Sequence, residues 1–412
     1  MSIDAVLAQD QESPRARPLI PGQAVDGRGA GTTGRVEERD LTFDGFRYTC
    51  RVVHHDDPVT EPVLVLGGSS QDRNSWVRHE KWLGPLGQVI TVDLPGYGTA
   101  DFLPAMYGVD FLAATVRHLL GELGVPRVNL VAACYGGAVG LRFTQHYPDL
   151  VARLLLVGMT TRIPADYAAA MERWAVMIER GETETIAREL ADRFMSPPGT
   201  GHVRKHAAVS RLVYQQIAGQ DPEQLGKSAE HNTRLMRHEW YRPEPVPALP
   251  SLVVTGEHDT LCTPAMGREV AAQLPEARFL TIDETDHLAP VERIADFADL
   301  MARFCTDRPL EGLPYASEPE TLGTRVAGAG GVVAVGPVET VAPGLGGAAV
   351  AGAGGSAAPG AVGPTTTGLG AYAVPGLVGA VAAGAGEPVA SGAGAAAVPG
   401  VGVVGVVGVD VP

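Results

Sequence analysis

The sequence predicts an α/β protein with a mostly parallel sheet flanked by helices, and three features of its pattern indicate this class. Short, continuous apolar runs recur along the chain, as expected of strands that are buried on both faces of a sheet. Segments with helical spacing of apolar residues separate these runs. Several runs end in a glycine-rich or acidic loop, and the carboxyl ends of parallel strands meet at one edge of a sheet. We expect ligands to bind at that edge.

Length and charge limit what the chain can do. Its 412 residues suffice for one large α/β domain or two medium ones. The formal net charge of −15 argues against nucleic-acid binding and against a polybasic membrane anchor, because both need clustered basic residues. The four cysteines make no disulfide framework, and neither C-x-x-C nor H-E-x-x-H occurs. We therefore expect no metal and no cofactor.

The N-terminal residues 1–37 predict a disordered lead-in. They are rich in Arg, Gly, Pro and Asp, and they show no apolar periodicity. They also lack a basic region followed by an apolar core, so a secretory signal is not indicated. We expect a cytoplasmic protein, in whose reducing surroundings a free thiol persists.

The first regular elements come next. Alternating residues from Arg39 to Val53, with a turn near Asp44-Gly45, predict a β-hairpin. The apolar runs at 62–66 and 88–93 predict buried parallel strands, and an amphipathic helix is predicted from Phe111 to Leu123.

The two buried strands lead into glycine-rich loops. In Gly67-Gly68-Ser69-Ser70 the glycines allow close backbone approach, so that the N–H of Ser69 can point into a site; an ordinary Gly-Ser turn is the alternative. For Asp93-x-Pro95-Gly96-x-Gly98 the alternative is a phosphate-binding loop. Against it, G-x-x-x-x-G-K-[ST] is absent and Pro95 interrupts any G-x-G-x-x-G.

The stretch from Arg127 to Gly140 carries the strongest local pattern. An apolar strand ends in Ala-Ala-Cys-Tyr-Gly-Gly and passes at once into residues with helical spacing. Such a turn strains the residue at its apex, Cys134, and tolerates only small neighbours, here Ala132, Gly136 and Gly137. The next backbone N–H, that of Tyr135, then points at whatever the side chain attacks. The alternative is a buried structural cysteine at a strand end.

A strand at 151–158 precedes a change of pattern. Residues 164–250 show helical spacing without a strand, and we expect a helical cap over the mouth of the site that shapes an acyl pocket. Most of its Met and aromatic residues are expected to form the core of the cap. His231-Asn232 and 238–241 are candidates for lining the substrate.

Two further strand–loop units complete the candidate site. A strand at 252–256 is followed by Asp259, a strand at 279–282 is followed by His287, and a helix at 294–305 is expected to end the fold. The chain order is therefore nucleophile, acid, histidine. Asp286 is a weaker candidate acid because it directly precedes His287, and Cys262 has no elbow around it. His258, beside Asp259, would point the other way.

This ordered set of motifs resembles the α/β-hydrolase superfamily over residues 38–306. Gly256-x-x-Asp259 is similar to the acid loop of the superfamily, and Asp286-His287-x-x-Pro290-x-Glu292 is similar to its histidine loop. Gly67 stands where relatives usually have a histidine. The resemblance implies a core at 38–163 and 251–306 with the cap at 164–250.

The resemblance also implies a mechanism. His287 would take the thiol proton of Cys134, Asp259 would orient the imidazole, and the backbone N–H groups of Ser69 and Tyr135 would form the oxyanion hole. An ester or thioester of a small-molecule or carrier-bound acyl group would be cleaved through an acyl-cysteine. A cysteine nucleophile is shared with a minority of relatives, such as dienelactone hydrolases, polyhydroxyalkanoate synthases and some thioesterases. An acyltransferase or polyester-synthase-like enzyme, or a non-catalytic binding protein on this scaffold, is the alternative.

Residues 307–412 form a different kind of segment, a low-complexity tail of mostly Gly, Ala, Val and Pro. Pro-Gly pairs recur in it, and Val398-Pro-Gly-Val-Gly402 is the pentapeptide typical of elastin. Because small side chains bury little surface, we expect disorder or self-association rather than a domain. The uncharged run from Pro388 to Val409 is long enough to span a bilayer, but its glycines and two prolines disfavour a helix, so stable membrane insertion is not expected.

Overall fold

The structure, a computed structural model, describes residues 34–197, 201–242, 245–246 and 248–323. The predictions for most of the N-terminal lead-in and for the elastin-like segment lie outside these residues. Within the described part of the chain, no helix is long and apolar enough to cross a membrane.

One nine-stranded sheet organises the described residues, in the spatial order β1-β2-β4-β3-β5-β6-β7-β8-β9. The six strands from β4 to β8 in that order are parallel, while β1, β2 and β9 pair antiparallel at the two ends. This architecture confirms the predicted α/β class with a mostly parallel sheet. The strands are β1 (Val36–Phe43), β2 (Phe46–Val53), β3 (Val63–Leu66), β4 (Val89–Asp93), β5 (Val128–Ala133), β6 (Val151–Val157), β7 (Ser251–Gly256), β8 (Arg278–Ile282) and β9 (Glu320–Thr321).

Helices cover both faces of the sheet and fill the segment between β6 and β7. They are α1 (Glu80–Leu83), α2 (Val109–Leu123), α3 (Tyr135–His146), α4 (Ala165–Glu179), α5 (Thr183–Phe194), α6 (His206–Ala218), α7 (Pro222–Arg237), α8 (Pro264–Ala272), α9 (Ala289–Glu292) and α10 (Ile294–Cys305).

Burial on both faces explains why the central strands read as unbroken apolar runs. In β5, Leu130 and Ala132 pack with residues of α2, α3 and α8, whereas Val131 and Ala133 pack on the opposite face with residues of α10. Successive side chains of a strand point to opposite faces, so a strand between two helical layers needs apolar residues at every position.

The hairpin predicted before the parallel strands is present, and helices fill the segment between β6 and β7. β1 and β2 pair around a two-residue turn at Asp44 and Gly45, both with positive φ (49° and 83°), a conformation typical of tight hairpins. The described residues between β6 and β7 contain the four helices α4 to α7 and no strand. These helices have apolar clusters of their own, centred on Trp174 and on Val209.

Both outer boundaries of the predicted core were misplaced. β1 begins at Val36, two residues before the expected start of the core at residue 38. At the other end the fold does not close with α10, because residues 310–323 return along β8 and contribute β9. Leu310 is fully buried, and the Tyr315 carbonyl accepts a 2.9 Å hydrogen bond from the Asp283 N–H. The tail therefore begins after this strand rather than at residue 307.

We predict that the chain can be shortened after Gly323 but not after Pro314. The shorter chain loses Tyr315 and the hydrogen bonds along β8, which exposes a strand edge and should cost at least about 2 kcal/mol of unfolding free energy. Thermal and denaturant unfolding of residues 1–323 and 1–314 would measure this difference. Equal stability of the two chains would contradict a structural role for β9.

Candidate active site

The turn between β5 and α3 holds Cys134 in a strained backbone conformation. Its φ is 51° and its ψ is −115°, a region that residues with a Cβ rarely occupy. The N–H of Cys134 donates a 2.8 Å hydrogen bond to the Val157 carbonyl of the neighbouring strand. A Cβ at Gly136 would lie 2.5 Å from the carbonyl oxygens of Leu66 and Gly67, so glycine is required there. A sharp turn from β5 into α3 therefore has the Cys134 side chain at its apex.

Asp259 and His287 form a buried pair at the same edge of the sheet. The Nδ1 of His287 lies 2.9 Å from the Asp259 Oδ2. The other carboxylate oxygen accepts hydrogen bonds from the backbone N–H groups of Leu261 (2.9 Å) and Cys262 (2.7 Å). The acid is therefore held by its own loop and presents one oxygen to the imidazole.

Burial by itself would lower the pKa of His287, but the charge and hydrogen bond of Asp259 outweigh it. Hydrogen bonds with the thiols of Cys134 and Cys262 raise the pKa further, and the result lies well above the ordinary value. The imidazole therefore keeps its proton to a higher pH than an ordinary histidine does. Gly158 packs against the ring, where an added Cβ would lie 3.0 Å from its Cε1.

The residues that the sequence made weaker candidates for the catalytic acid, base or nucleophile have different contacts. The Asp286 carboxylate accepts from the His287 backbone N–H at 3.0 Å, and no described contact joins it to the imidazole. His258 lies 3.7 Å from Glu257, outside the pair. Cys262, in contrast, lines the same cavity as Cys134 and contacts His287. Without an elbow, the sequence offered no signal for that placement.

Three of the thiols are buried and hard to ionise. Burial raises the pKa of Cys50 to about 11 and the pKa values of Cys262 and Cys305 to about 12. Cys134 is the one cysteine among the described residues that is partly exposed.

The candidate oxyanion residues are held by a helix of the cap. A Cβ at Gly68 would lie 3.3 Å from the Cβ of Cys134, so the loop that carries Ser69 lies against the thiol. The Ser69 Oγ lies 3.2 Å from the Nδ1 of His231 on α7. The His231 ring stacks on that of Tyr135, with centroids 4.3 Å apart and planes 16° apart. One cap residue therefore contacts both residues whose N–H groups were predicted to bind an oxyanion.

Arg234, one turn further along α7, reinforces this arrangement. Its side chain is fully buried and donates to the Tyr135 hydroxyl at 2.8 Å and to the carbonyls of Leu103 (2.8 Å) and Tyr107 (2.6 Å). His231 was expected only to line the substrate, and Arg234 was not predicted from the sequence. The spacing of Lys227, His231 and Arg234 on one helical face was the available signal.

A cavity of about 170 Å³ opens beside Cys134 and His287. It is bounded mainly by apolar side chains of the cap and of the core loops, among them Met159, Met171 and Trp240. None of its described lining residues is Asp, Glu, Lys or Arg. The cavity therefore suits an uncharged, apolar group.

Glu292 is a third acidic residue near the candidate site, and its protonation affects the buried charge there. Glu292 is fully buried, and burial together with the neighbouring charges of Asp286 and Asp259 raises its pKa to about 8, despite hydrogen bonds from backbone N–H groups. At neutral pH the proton on Glu292 limits the number of buried charges near His287.

Comparison with known proteins agrees with the architecture. A family model described as alpha/beta hydrolase fold matches residues 61–294. A curated 2-hydroxy-6-oxononadienedioate/2-hydroxy-6-oxononatrienedioate hydrolase of Paraburkholderia phymatum is 24% identical over 262 residues, which are 61% of this chain and 90% of the relative. An alpha/beta hydrolase enzyme from a deep-sea metagenome library superposes with a TM-score of 0.58 at 16% identity, covering 66% of this chain and 99% of its own. The enol-lactonase of Burkholderia xenovorans has a TM-score of 0.56 at 21% identity, covering 65% and 100%.

We predict that His231→Phe slows ester hydrolysis without changing the reactivity of the thiol. Phenylalanine keeps the stack on Tyr135 but loses the contact with Ser69, so turnover of p-nitrophenyl acetate should fall about tenfold or more. Alkylation of Cys134 by iodoacetamide develops no oxyanion and should keep its rate. His238→Phe is the matched control, because it breaks a bond between the cap and the Ala105 carbonyl instead. A parallel loss of both reactivities would indicate general damage.

We also predict that Glu292→Gln flattens the pH dependence of stability. The folded protein holds the Glu292 proton up to about pH 8, whereas the unfolded chain releases it near pH 4.3, as an ordinary glutamate does. The unfolding free energy of the parent should therefore fall as pH rises from about 4.5 to 8, by an amount on the order of a few kcal/mol. Denaturant unfolding at several pH values tests this, with Glu172→Gln on an exposed face of α4 as control. An unchanged slope in Glu292→Gln would refute the assignment.

Proposed function

The chain belongs to the α/β-hydrolase family, whose model spans more than half of it, and we propose that it cleaves an ester or thioester through an acyl-cysteine on Cys134. One observation carries the proposal: a cysteine at a strained turn lines the same cavity as a histidine that is paired at 2.9 Å with a buried aspartate. A cysteine with only a structural role would not require a strained backbone or a neighbouring histidine–aspartate pair.

In this mechanism His287 takes the thiol proton, while Asp259 holds its Nδ1 and balances its charge. The sulfur of Cys134 attacks the carbonyl carbon, and the N–H groups of Ser69 and Tyr135 stabilise the oxyanion, each by about 3 kcal/mol. His287 then protonates the leaving alcohol or thiol. Water, deprotonated by the same histidine, attacks the acyl-cysteine and releases the acid and the free thiol.

The cavity beside the thiol supports an uncharged acyl group. The Paraburkholderia relative is named for a dioate, whose two carboxylates would need cationic partners in a buried site. The described lining of this cavity offers no Lys or Arg. We therefore propose an apolar acyl chain rather than a dicarboxylate as the group that enters it.

Transfer to an acceptor other than water is the second candidate function. A thioester reacts more readily with alcohols, thiols and amines than an oxygen ester does, so an acyl-cysteine can pass its acyl group on where water is excluded. The apolar side chains of the cap, such as Tyr167 and Met171, lie over the cavity and favour such exclusion.

The test is intact-mass spectrometry after incubation with hexanoyl thioesters. We expect one hexanoyl adduct on the parent protein and none on Cys134→Ala. Cys262→Ala is the matched control, since its thiol lines the same cavity and contacts the same histidine. An adduct that persists in Cys134→Ala but disappears in Cys262→Ala would move the nucleophile to the other cysteine. No adduct and no turnover on any variant would favour a non-catalytic binding protein.

The role of the sulfur is tested by Cys134→Ser. With a hexanoyl thioester donor and an added alcohol, the ratio of transfer to hydrolysis should fall in this variant if the acyl-thioester sets the outcome. An unchanged ratio would show that the cap, and not the sulfur, decides the fate of the acyl group.

A further inference from the structure

The cap contributes a hydroxyl group to the cavity beside Cys134. Tyr167, near the start of α4, lines this cavity together with Cys134 and His287. Its hydroxyl has no hydrogen-bond partner among the described residues, and it is not one of their side-chain atoms that are closed off from solvent. A substrate in the cavity can therefore reach this hydroxyl.

Other polar side chains of the cavity lining are already engaged within the protein. The Gln71 Oε1 accepts from the Gly68 N–H at 2.8 Å, and the Gln216 amide donates to the Ser70 carbonyl at 2.9 Å. A hydroxyl that loses its water in a mostly apolar cavity needs a new hydrogen-bond partner. A bound substrate should therefore place a polar atom at Tyr167.

The ring of Tyr167 is held by neighbours that leave its hydroxyl free. It meets the Trp174 ring edge-on, with centroids 5.6 Å apart, and the Arg193 guanidinium lies 5.4 Å from its centroid. Arg193 also donates to the Asp166 Oδ2 at 2.9 Å, which ties α5 to the start of α4. The hydroxyl is thus positioned before substrate binds, as a group that stabilises a developing charge must be.

The same contacts place Tyr167 on the histidine side of the thiol. Phe194, which follows Arg193 on α5, stacks on the His287 ring, with centroids 5.5 Å apart and planes 23° apart. Two successive residues of one helix therefore cover the rings of Tyr167 and His287. The residues with the candidate oxyanion N–H groups are contacted instead by His231 on α7. In the proposed mechanism the leaving group departs on the histidine side, because His287 protonates it.

The Tyr167 hydroxyl keeps its proton at neutral pH. Burial is the main cause that raises the pKa of Tyr167 above the ordinary value, and the neighbouring thiol of Cys134 raises it further. The opposing effect of His287 is outweighed. A neutral phenol can donate a hydrogen bond to an oxygen or sulfur that gains negative charge.

Building on the proposed cleavage of an ester or thioester, we propose that Tyr167 is a further catalytic residue, whose hydroxyl donates a hydrogen bond to the leaving oxygen or sulfur. When the tetrahedral intermediate on Cys134 collapses, the acyl C–O or C–S bond breaks and its electron pair moves to the leaving atom. His287 delivers its proton to that atom. Tyr167 stabilises the charge that develops there and retains its own proton.

The first test compares two esters of one acid, ethyl hexanoate and p-nitrophenyl hexanoate, in Tyr167→Phe. Ethoxide is a far more basic leaving group than p-nitrophenolate and needs more stabilisation. In the variant, kcat/KM for ethyl hexanoate should fall about tenfold or more, as expected when a hydrogen bond to a developing charge is lost. The value for p-nitrophenyl hexanoate should change little. Both esters form the same hexanoyl-cysteine, so a defect in binding the acyl chain would lower both values equally.

Tyr214→Phe is the matched control, because Tyr214 lies on another cap helix, α6, and does not line this cavity. It should keep both kcat/KM values. Equal losses on the two esters in Tyr167→Phe, or no loss on ethyl hexanoate, would overturn the role of Tyr167 and leave the hydrolase assignment intact. A parent protein that cleaves neither ester would overturn the proposed function, and the role of Tyr167 with it.

The second test separates the leaving group from the thiol and from the fold. Alkylation of Cys134 by iodoacetamide involves no acyl leaving group, so Tyr167→Phe should react at the parent rate. The Tm should also be unchanged, because the hydroxyl has no hydrogen bond to any described residue. Slower alkylation would assign the effect of the hydroxyl to the thiol, and a lower Tm would assign it to the fold; either result would overturn the proposal.

Discussion

The sharp turn from β5 into α3 is the constraint on which the rest of the molecule depends. Holding Cys134 in an unfavourable backbone region costs about 1–3 kcal/mol, so the conformation persists only where the surroundings enforce it. Here the parallel strands on either side of β5 are buried on both faces, and Gly136 lets α3 approach the end of β3. The sheet, therefore, makes the position of the thiol possible.

Charge burial at the same sheet edge follows from that geometry. Once the loops after β7 and β8 meet beside the turn, two carboxylates and an imidazole come out of water together with Glu292. A buried ion is tolerated only when it is paired and hydrogen-bonded. The Asp259 carboxylate is paired with His287 and accepts hydrogen bonds from its own loop, and Asp286 accepts from backbone N–H donors. Glu292 avoids carrying a buried charge because it keeps its proton.

The cap helices also make polar and aromatic contacts with the core loops beside the site. Helix α7 brings two cationic side chains and a neutral histidine onto core loops, where Lys227 and Arg234 donate mainly to carbonyl oxygens. His231 has its pKa lowered to about 3 by burial, so it remains neutral across the physiological range and can stack on Tyr135 without charge. The same helix borders the apolar cavity, so the cap also shapes the space beside Cys134.

The sequence by itself determined the elements whose signal is local. Continuous apolar runs indicated the buried strands, and small residues around Cys134 indicated the turn. The order of Cys134, Asp259 and His287 along the chain indicated which loops should meet. Only the tertiary structure revealed that residues near 320 form β9 and that Cys262 contacts His287. It also revealed the contacts of His231 with both Ser69 and Tyr135, and the raised pKa of Glu292. Each of these depends on burial or on contact between distant segments, which leaves no periodic pattern in the chain.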